Sequence, residues 1–281
     1  MTSQTSSSPF SEKQKQAVTS NFNLVASGYD NPAQRYFPMC ADRMAEYLKP
    51  KPGNRVLDIA TGTGMVATAM AQAILPDGRV QGIDLSTGML DKAFENLTKL
   101  GLNNIDLHEM DAEKLDFKSN YFDCISCGFG IFFLSDMHAS LKEWLRVLKP
   151  NGRLMFTTFE SSSFGKLITI FIEQLAEFNV LVDTSKERLS NMQACETYLE
   201  QAGYSDIQIH SEQLGYHLKK EDDWWEIIMN SALRSFVTQL NAIQFAQFRA
   251  QHLNEIKKLA TDKGIWLDVN VIFSTGKKPA K

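Results

Sequence analysis

The feature that most constrains this chain is a short apolar strand that runs into a glycine-rich turn and then a helix. Residues 55–59 have the apolar character of a strand, and residues 63–74 form an alanine- and methionine-rich helical segment. Between them, Gly62 and Gly64 let the backbone turn sharply and approach a ligand without a Cβ in the way. The segment predicts the first turn of a doubly wound α/β sheet, where ligands bind at the strand ends.

Strands and helices continue to alternate as far as residue 159. We predict two helices before the first strand, at 12–27 and 33–48, and later helices at 87–100 and from about 135 to 148. Further strands are predicted at 79–84, 105–110, 122–128 and 153–159. This alternation predicts a mostly parallel sheet with right-handed crossovers.

Beyond residue 160 the alternation loosens. We predict helices at 164–178, 191–202, 221–240 and 242–261, and strands at 206–212 and 266–275. The predicted organisation is a disordered tail at 1–11, an N-terminal helical arm or lid at 12–50, a cofactor-binding core at 51–160, a helical segment at 161–205, a core strand at 206–212, a helical insertion serving as substrate lid at 213–264, and a last core strand with a tail at 265–281.

Composition narrows the functional classes. The chain has 281 residues, 43% of them hydrophobic, and a formal net charge of -4. It lacks the basic face that nucleic-acid binding needs, so we expect no nucleic-acid partner. Its apolar runs are far shorter than the roughly 20 residues of a membrane span. The start of the chain has no signal-peptide pattern, so we expect a cytoplasmic protein, while the oligomeric state stays open.

The cysteines predict no metal site. Cys124 and Cys127 form a C-x-x-C pair, but the pair lies inside an apolar strand-like run. No second pair is present to complete a tetrahedral zinc site. We therefore expect ordinary buried thiols.

Three acids at predicted strand ends indicate the cofactor. Asp84, about twenty residues after Gly64, could accept hydrogen bonds from both ribose hydroxyls of either NAD or S-adenosylmethionine. Asp58, just before the glycines, would repel a pyrophosphate but favour a cationic amino acid headgroup. Asp111 could accept a hydrogen bond from the adenine amino group, and the backbone amide of Ala112 could donate one to a ring nitrogen. S-adenosylmethionine is favoured, and an NAD(P)-dependent reductase or a non-catalytic cofactor-binding protein remain the alternatives.

Four segments together resemble class I S-adenosylmethionine-dependent methyltransferases: VLDIATGTG at 56–64, GIDLS at 82–86, DAE at 111–113 and RVLKPNGRL at 146–154. The resemblance is greatest to the branch of the ubiquinone/menaquinone C-methyltransferases and many natural-product methyltransferases, and it covers residues 22–159. It implies a Rossmann-like, seven-stranded sheet with an antiparallel last strand, with Tyr29-Asp30 folding over the cofactor. Ala60 replaces the first glycine of the general class. Phe132-Phe133 stand where quinone methyltransferases usually have Arg-Asn, which argues against a quinone precursor as acceptor.

The predicted reaction is in-line methyl transfer to an N, O or C atom of a small, largely apolar or aromatic acceptor, such as a natural product. Positioning supplies much of the rate, and a general base is needed only if the acceptor must lose a proton. Candidate bases are His210, His217 and Glu160. Predicted substrate contacts are Phe129, Phe132, Phe133, Trp224 and Trp225. Predicted cofactor contacts are Tyr29, Asp58, Ala60, Thr61, Gly62, Gly64, Asp84, Leu85, Met89, Asp111, Ala112, Cys127 and Gly128.

Overall fold

The chain folds into helices and strands that alternate through much of its length. The computed structural model describes residues 9–182 and 189–280. The strands are β1 Arg55–Ile59, β2 Arg79–Asp84, β3 Ile105–Glu109, β4 Phe122–Gly128, β5 Leu148–Phe159, β6 Ser205–Gln213, β7 Tyr216–Leu218, β8 Ile265–Leu267 and β9 Asn270–Lys277. The helices are α1 Pro9–Val25, α2 Tyr36–Leu48, α3 Met65–Ala73, α4 Thr87–Leu100, α5 Met137–Val147, α6 Gly165–Glu177, α7 Met192–Ala202, α8 Glu221–Met229, α9 Arg234–Val237 and α10 Ala242–Lys257.

The strand order identifies the switch point of the sheet. Within the described residues, seven strands form one sheet in the order β3-β2-β1-β4-β5-β9-β6. β1 pairs in parallel with β2 on one side and β4 on the other, while β9 runs antiparallel between β5 and β6. The predicted Rossmann-like fold with an antiparallel last strand is confirmed. Ligands in such sheets bind at the carboxyl ends of the strands where the order reverses, here β1 and β4.

Helices cover both faces of the sheet. The neighbouring β1 residues Val56 and Leu57 point to opposite faces, and both are fully buried. Val56 belongs to a cluster with Met44 of α2, and Leu57 to a cluster with Trp144 of α5. Burial on both faces is why the parallel strands read as continuous apolar runs.

The N-terminal region differs from the predicted arm in two ways. Cys40, Met44 and Leu48 recur at every fourth position of α2 and are all buried, so this helix belongs to the layer on the sheet. The segment predicted as an arm at 12–50 therefore includes a helix that packs on the sheet. Helix α1 begins at Pro9, so residues 9–11 are helical although a disordered tail was predicted there. Proline is favoured in a first helical turn. The rest of the predicted tail, 1–8, lies outside the described residues.

Two predicted elements near the C-terminus are each divided. The strand predicted at 266–275 splits into β8, which pairs with β7 in a separate two-stranded sheet, and β9 of the main sheet. Between them, the carbonyl of Asp268 accepts from Phe164 N and that of Val269 from Leu214 N, which turns the chain out of one sheet into the other. The helix predicted at 221–240 breaks after α8, where the side-chain amide of Asn230 donates to Glu226 O.

A histidine is buried where α6, α8 and α10 meet. His252 has no exposed surface. Its Nε2 accepts from Trp224 Nε1 at 2.9 Å, and its Nδ1 lies 2.6 Å from Gln174 Oε1. Because Nε2 accepts, Nδ1 carries the proton and donates, so the ring is neutral. Burial lowers the pKa of His252 to about 4.

This histidine makes stability depend on pH. In the unfolded chain His252 takes up a proton below pH 6.5, whereas in the folded chain it does so only near pH 4. The contribution of the neutral ring to the free energy of unfolding is therefore complete above pH 6.5 and is lost as pH falls. Burial raises the pKa of Asp58 to about 6, which changes stability in the opposite sense. Comparison with His252→Gln isolates the histidine. From pH 7 to pH 4, urea unfolding should show wild type losing roughly 2 to 4 kcal/mol more than the variant. Parallel pH curves would contradict this assignment.

Candidate active site

The carboxylate of Asp58 organises the turn after β1 and lies below the cavity surface. Its Oδ2 accepts from Thr61 Oγ1 and its Oδ1 from Ser126 Oγ, each at 2.7 Å. Asp58 is 1% exposed, and burial raises its pKa to about 6, against the lowering effect of the two hydroxyl donors. The structure therefore gives Asp58 hydroxyl partners within the protein, where the sequence suggested contact with an ammonium group.

The glycines of the turn have separate tasks. Gly62 has φ of 55°, and a Cβ built there would meet nothing within 4 Å, because the position faces open space. Gly64 has φ of 85°, and its Cβ would lie 3.3 Å from that of Ala93, so this residue lets α4 pack closely. Ala60 also has a positive φ, 53°, where the general family pattern has glycine. Gly62 thus faces the ligand space and Gly64 the helix packing.

Asp84 joins the turn to β2. Its Oδ2 accepts from Gly62 N and its Oδ1 from Ser86 N, each at 2.9 Å. Burial raises the pKa of Asp84, and these backbone donors oppose that shift. An ionised carboxylate has about four lone-pair positions. The backbone amides use only part of this capacity, which leaves lone pairs for hydroxyl groups in the cavity that Asp84 lines.

Asp111, after β3, is joined to the N-terminal helix. Its Oδ2 accepts from Lys15 Nζ at 2.6 Å, and its Oδ1 accepts from Glu113 N at 2.9 Å. Lys15 also pairs with Glu113 Oε2 at 2.5 Å. At the other end of α1, Asn23 Oδ1 accepts from Ser86 Oγ at 2.7 Å and from Gly88 N at 2.9 Å. Helix α1 is thereby held across the ends of β2 and β3.

A cavity of about 800 Å³, which includes the solvent at its open mouth, lies beneath α1 at the carboxyl ends of the strands. The predicted cofactor residues on its wall are Tyr29, Ala60, Gly62, Asp84, Leu85, Met89, Asp111, Ala112 and Gly128, together with the predicted substrate residues Phe129 and Phe133. A smaller cavity of about 420 Å³ adjoins it and is lined by Tyr29, Phe37, Cys40, Ala60, Thr61, Gly62, Thr63, Met65, Val66, Gly128 and Phe129. The structure therefore brings ten of the predicted cofactor residues to two adjoining cavities.

The sequence predicted a helical arm at 12–50, but no residue of α1 was predicted to line the site. Lys15, Val18, Thr19 and Phe22 all line the larger cavity. Their helical spacing could have indicated that they share one helix face. Nothing in the sequence relates Lys15 to Asp111, because the contact exists only once α1 has folded across the sheet.

Several predicted residues lie away from both cavities. Gly64, Cys127 and Asp58 are not among the described residues that line either cavity. Phe132 packs on Phe133 with ring centroids 4.8 Å apart. Trp224 and Trp225 are buried against α10, where Trp224 bonds His252, so they contribute to the core and not to the cavity wall. An aromatic side chain can line a substrate pocket or pack in a core, and the packing of α8 against α10 places both tryptophans in the core.

The three candidate bases also lie outside the cavity walls. His210, on β6, stacks its ring on Phe273 at 5.3 Å. His217, on β7, packs edge-on to Trp266 at 5.0 Å. Glu160 follows β5 and accepts from Ser162 Oγ at 3.4 Å. None of the three is among the described residues that line either cavity.

The residues present fit S-adenosylmethionine better than a dinucleotide. Asp84 offers lone pairs suited to ribose hydroxyls, and Asp111 with Ala112 provides polar groups at the end of β3 for adenine. The ring of Tyr29 lines both cavities, and aromatic faces attract cations such as a sulfonium. A pyrophosphate would be repelled by the carboxylate of Asp84. Lys15, the cation among the described residues of this wall, is already paired with two carboxylates.

The four cysteines lie in the core of the described structure. Cys40, Cys124, Cys127 and Cys195 are buried and free. Burial raises the pKa of Cys124 to about 12, so it stays a thiol. In the described ranges, no three His, Cys, Asp or Glu side chains are placed to hold a metal ion. No described helix has the length and apolarity to cross a membrane.

Comparison with known sequences identifies relatives. A model described as the ubiE/COQ5 methyltransferase family matches residues 10–219. The aklanonic acid methyltransferase DauC of Streptomyces sp. (strain C5) is 34% identical over 152 residues, which cover 53% of this chain and 69% of DauC. The ubiquinone/menaquinone biosynthesis C-methyltransferase UbiE of Pseudomonas putida is 34% identical over 181 residues, covering 57% of this chain and 68% of UbiE.

Solved structures share the fold. The YcgJ protein of Bacillus subtilis matches with a TM-score of 0.59 and 22% identity, covering 86% of this chain and 98% of YcgJ. Phosphoethanolamine N-methyltransferase 2 of Haemonchus contortus, solved with S-adenosyl-L-methionine, has a TM-score of 0.53 and 22% identity, and the match covers 86% of this chain and 52% of that protein. The [4+2]-cyclase SpnF has a TM-score of 0.58 and 19% identity, and the match covers 95% of this chain and 96% of SpnF. At these identities the likeness shows the fold alone.

Removing the Asp84 carboxylate should weaken cofactor binding. Asp84→Ala loses hydrogen bonds to a charged group, so the affinity for S-adenosylhomocysteine should fall by about 1.5–3 kcal/mol in calorimetry. Asp106→Ala is the matched control. Asp106 lies on β3, pairs with Arg79 at 2.7 Å and does not line the cavity. An unchanged dissociation constant in a folded Asp84→Ala protein would remove Asp84 from the site.

Proposed function

The chain belongs to the ubiE/COQ5 methyltransferase family, and from that premise we propose that its acceptor is a small, largely apolar or aromatic molecule, such as a natural product. It is an S-adenosylmethionine-dependent methyltransferase. When bound, the cofactor supplies a methyl group on a cationic sulfonium. The chain's own residues must bind the acceptor, orient it and exclude water.

Contacts between aromatic rings at the two cavities are the main support for an apolar or aromatic acceptor. The ring of Phe37 stacks on Tyr29 at 5.0 Å and meets Phe129 edge-on at 5.5 Å. Phe129 in turn stacks on Phe159 at 4.3 Å. Rings fixed in this way form a rigid apolar surface, which suits a flat hydrophobic acceptor.

Phe129 is held in a conformation that phenylalanine seldom adopts. Its φ is 52°, in the left-handed region, where a bulky residue is strained. Its backbone N donates to Thr157, whose carbonyl lies at 3.3 Å and whose Oγ1 lies at 3.2 Å. Backbone strain of this kind concentrates at functional sites. Because Phe129 lines both cavities, this strain supports a role for its ring between cofactor and acceptor.

Few polar groups of the smaller cavity are free to hold a polar acceptor. The hydroxyl of Thr61 donates to Asp58. The thiol of Cys40 donates to Thr157 Oγ1 at 3.7 Å. Met65, Val66 and the aromatic rings make up much of the remaining wall. A largely apolar acceptor is therefore favoured over a sugar or a charged peptide.

We further propose that methyl transfer to the acceptor uses no side-chain general base. The described residues that line them include no histidine, and Asp111 is paired with Lys15. Burial raises the pKa of Tyr29 well above its usual range, so its hydroxyl stays protonated. The accepting atom would then be nucleophilic as it arrives, as an amine, a carboxylate or a stabilised carbanion is.

The names of the relatives agree with this class of acceptor. DauC is named for aklanonic acid, and UbiE for C-methylation in quinone biosynthesis. Phe132, where quinone methyltransferases usually have a charged residue, packs among aromatic rings 4.8 Å from Phe133 and 6.4 Å from Phe159. This packing supports an acceptor other than a quinone precursor. Neither the NAD(P)-dependent reductase nor the non-catalytic protein gains support from the comparisons.

A screen with labelled cofactor tests the acceptor class. Wild type should methylate apolar or aromatic small molecules, and Phe133→Leu should raise the KM for such an acceptor several-fold, because Phe133 lines the cavity. Phe245→Leu is the matched control, since Phe245 packs on Trp225 at 5.7 Å within the helical insertion. It should lower the melting temperature without changing KM. Activity only on nucleic acid or protein side chains would contradict the proposal.

Replacing the three distant candidates tests the absence of a base. Loss of a true general base costs about 10²- to 10⁴-fold in rate. His210→Gln, His217→Gln and Glu160→Gln should instead retain kcat within about twofold, measured at saturating acceptor. A loss of about a hundredfold in any one, with the fold intact, would assign it as the base.

A further inference from the structure

An open cleft lies at the opposite end of the sheet from the cofactor site. Helix α2 ends at Leu48, which lines the cleft. The cleft measures about 1740 Å³, which includes the solvent at its open mouth. Asn54 precedes β1 and Asp123 is the second residue of β4, so both mark the amino end of the sheet, and Gln208 of β6 also lines the cleft. It shares no lining residue with the two cavities described above.

Positive charge predominates in this cleft. Its lining side chains include the acids Asp123 and Asp206 and the cations Lys49, Lys51, Lys149, Arg153 and Lys277. That is a surplus of three positive charges in a chain whose net charge is -4. Lys149 pairs with Asp123 at 2.6 Å. The other four cations have no acidic partner within 4.0 Å in the part of the chain that the structure describes.

Two of these cations are neighbours on the sheet. Arg153 of β5 stands directly opposite Lys277 of β9 in the antiparallel register, so their side chains lie on the same face. Like charges directly opposite each other destabilise a sheet. Arg153 gives one donor to Leu48 O at 3.4 Å, which leaves most of its five donors for other groups. A bound anion would offset the repulsion.

Helix dipoles explain only part of the charge. Lys49 follows the C-terminus of α2, and Lys149 follows that of α5, where a cation is favourable in any protein. Arg153 and Lys277 lie within strands, so no helix dipole accounts for their positive charge. The unpaired cations on the floor of the cleft need another reason.

We propose that this cleft binds a phosphate-bearing anion, with Arg153 and Lys277 beneath it and Lys49 and Lys51 at its rim. A guanidinium donates to a phosphate through two parallel hydrogen bonds, and lysines add point charges. The phosphate group belongs either to a small phosphorylated molecule or to a phospholipid headgroup. The site is independent of the proposed acceptor, because it lies at the other end of the strands.

Titration with inorganic pyrophosphate tests the site. Calorimetry on the full chain, saturated with S-adenosylhomocysteine, should show binding at low salt that weakens as salt is added. Lys277→Gln and Arg153→Gln should each weaken it by about tenfold or more. Lys99→Gln, an exposed lysine of α4, is the charge-matched control and should bind as wild type does. Melting curves without anion verify that each variant is folded.

A second arm separates the two sources of phosphate. Sedimentation with phosphatidylglycerol vesicles, compared with phosphatidylcholine vesicles, measures headgroup binding. Pyrophosphate binding that both floor variants weaken supports a small phosphorylated ligand. Binding to phosphatidylglycerol alone, weakened by the same variants, supports a headgroup. No binding in either arm, or wild-type binding by both Lys277→Gln and Arg153→Gln, would overturn the proposal.

Discussion

The buried carboxylate of Asp58 determines the shape of the turn on which the site depends. A charge removed from water is costly unless hydrogen bonds compensate it, and here Thr61 and Ser126 each donate one at 2.7 Å. Satisfying Asp58 therefore fixes the loop after β1 against β4. The same loop aims Gly62 N at Asp84, which joins β1 to β2 and positions the second carboxylate at the cavity surface.

Parallel topology then separates the chemistry between the two ends of the sheet. At the carboxyl ends, the acids Asp84 and Asp111 face a cavity that α1 covers through Lys15 and Asn23. At the amino ends, where helices finish, lysines and arginine surround an open cleft. Each end thus presents charge of one predominant sign, and the strands between them keep the two sites apart.

The parts of the site that follow from local sequence could be predicted. Asp84 ends β2, and Gly62 and Asp111 lie shortly beyond β1 and β3. The carboxyl ends of parallel strands meet at one edge of a sheet, so the proximity of these residues follows from the order of elements. The contact between Lys15 and Asp111 could not be predicted, because it depends on how α1 crosses the sheet. Trp224, predicted as a substrate contact, lies in the core beside His252. An aromatic residue suits a binding wall or a core equally, and only the approach of His252 decides the case.

A crystal structure of the chain with S-adenosylhomocysteine tests whether the cavity beneath α1 is the cofactor site. We expect the ribose hydroxyls to be hydrogen-bonded to Asp84, the adenine to lie near Asp111 and Ala112, and the sulfur to lie toward Tyr29 and the smaller cavity. The ligand bound elsewhere, or bound there with Asp84 facing away from the ribose, would contradict it.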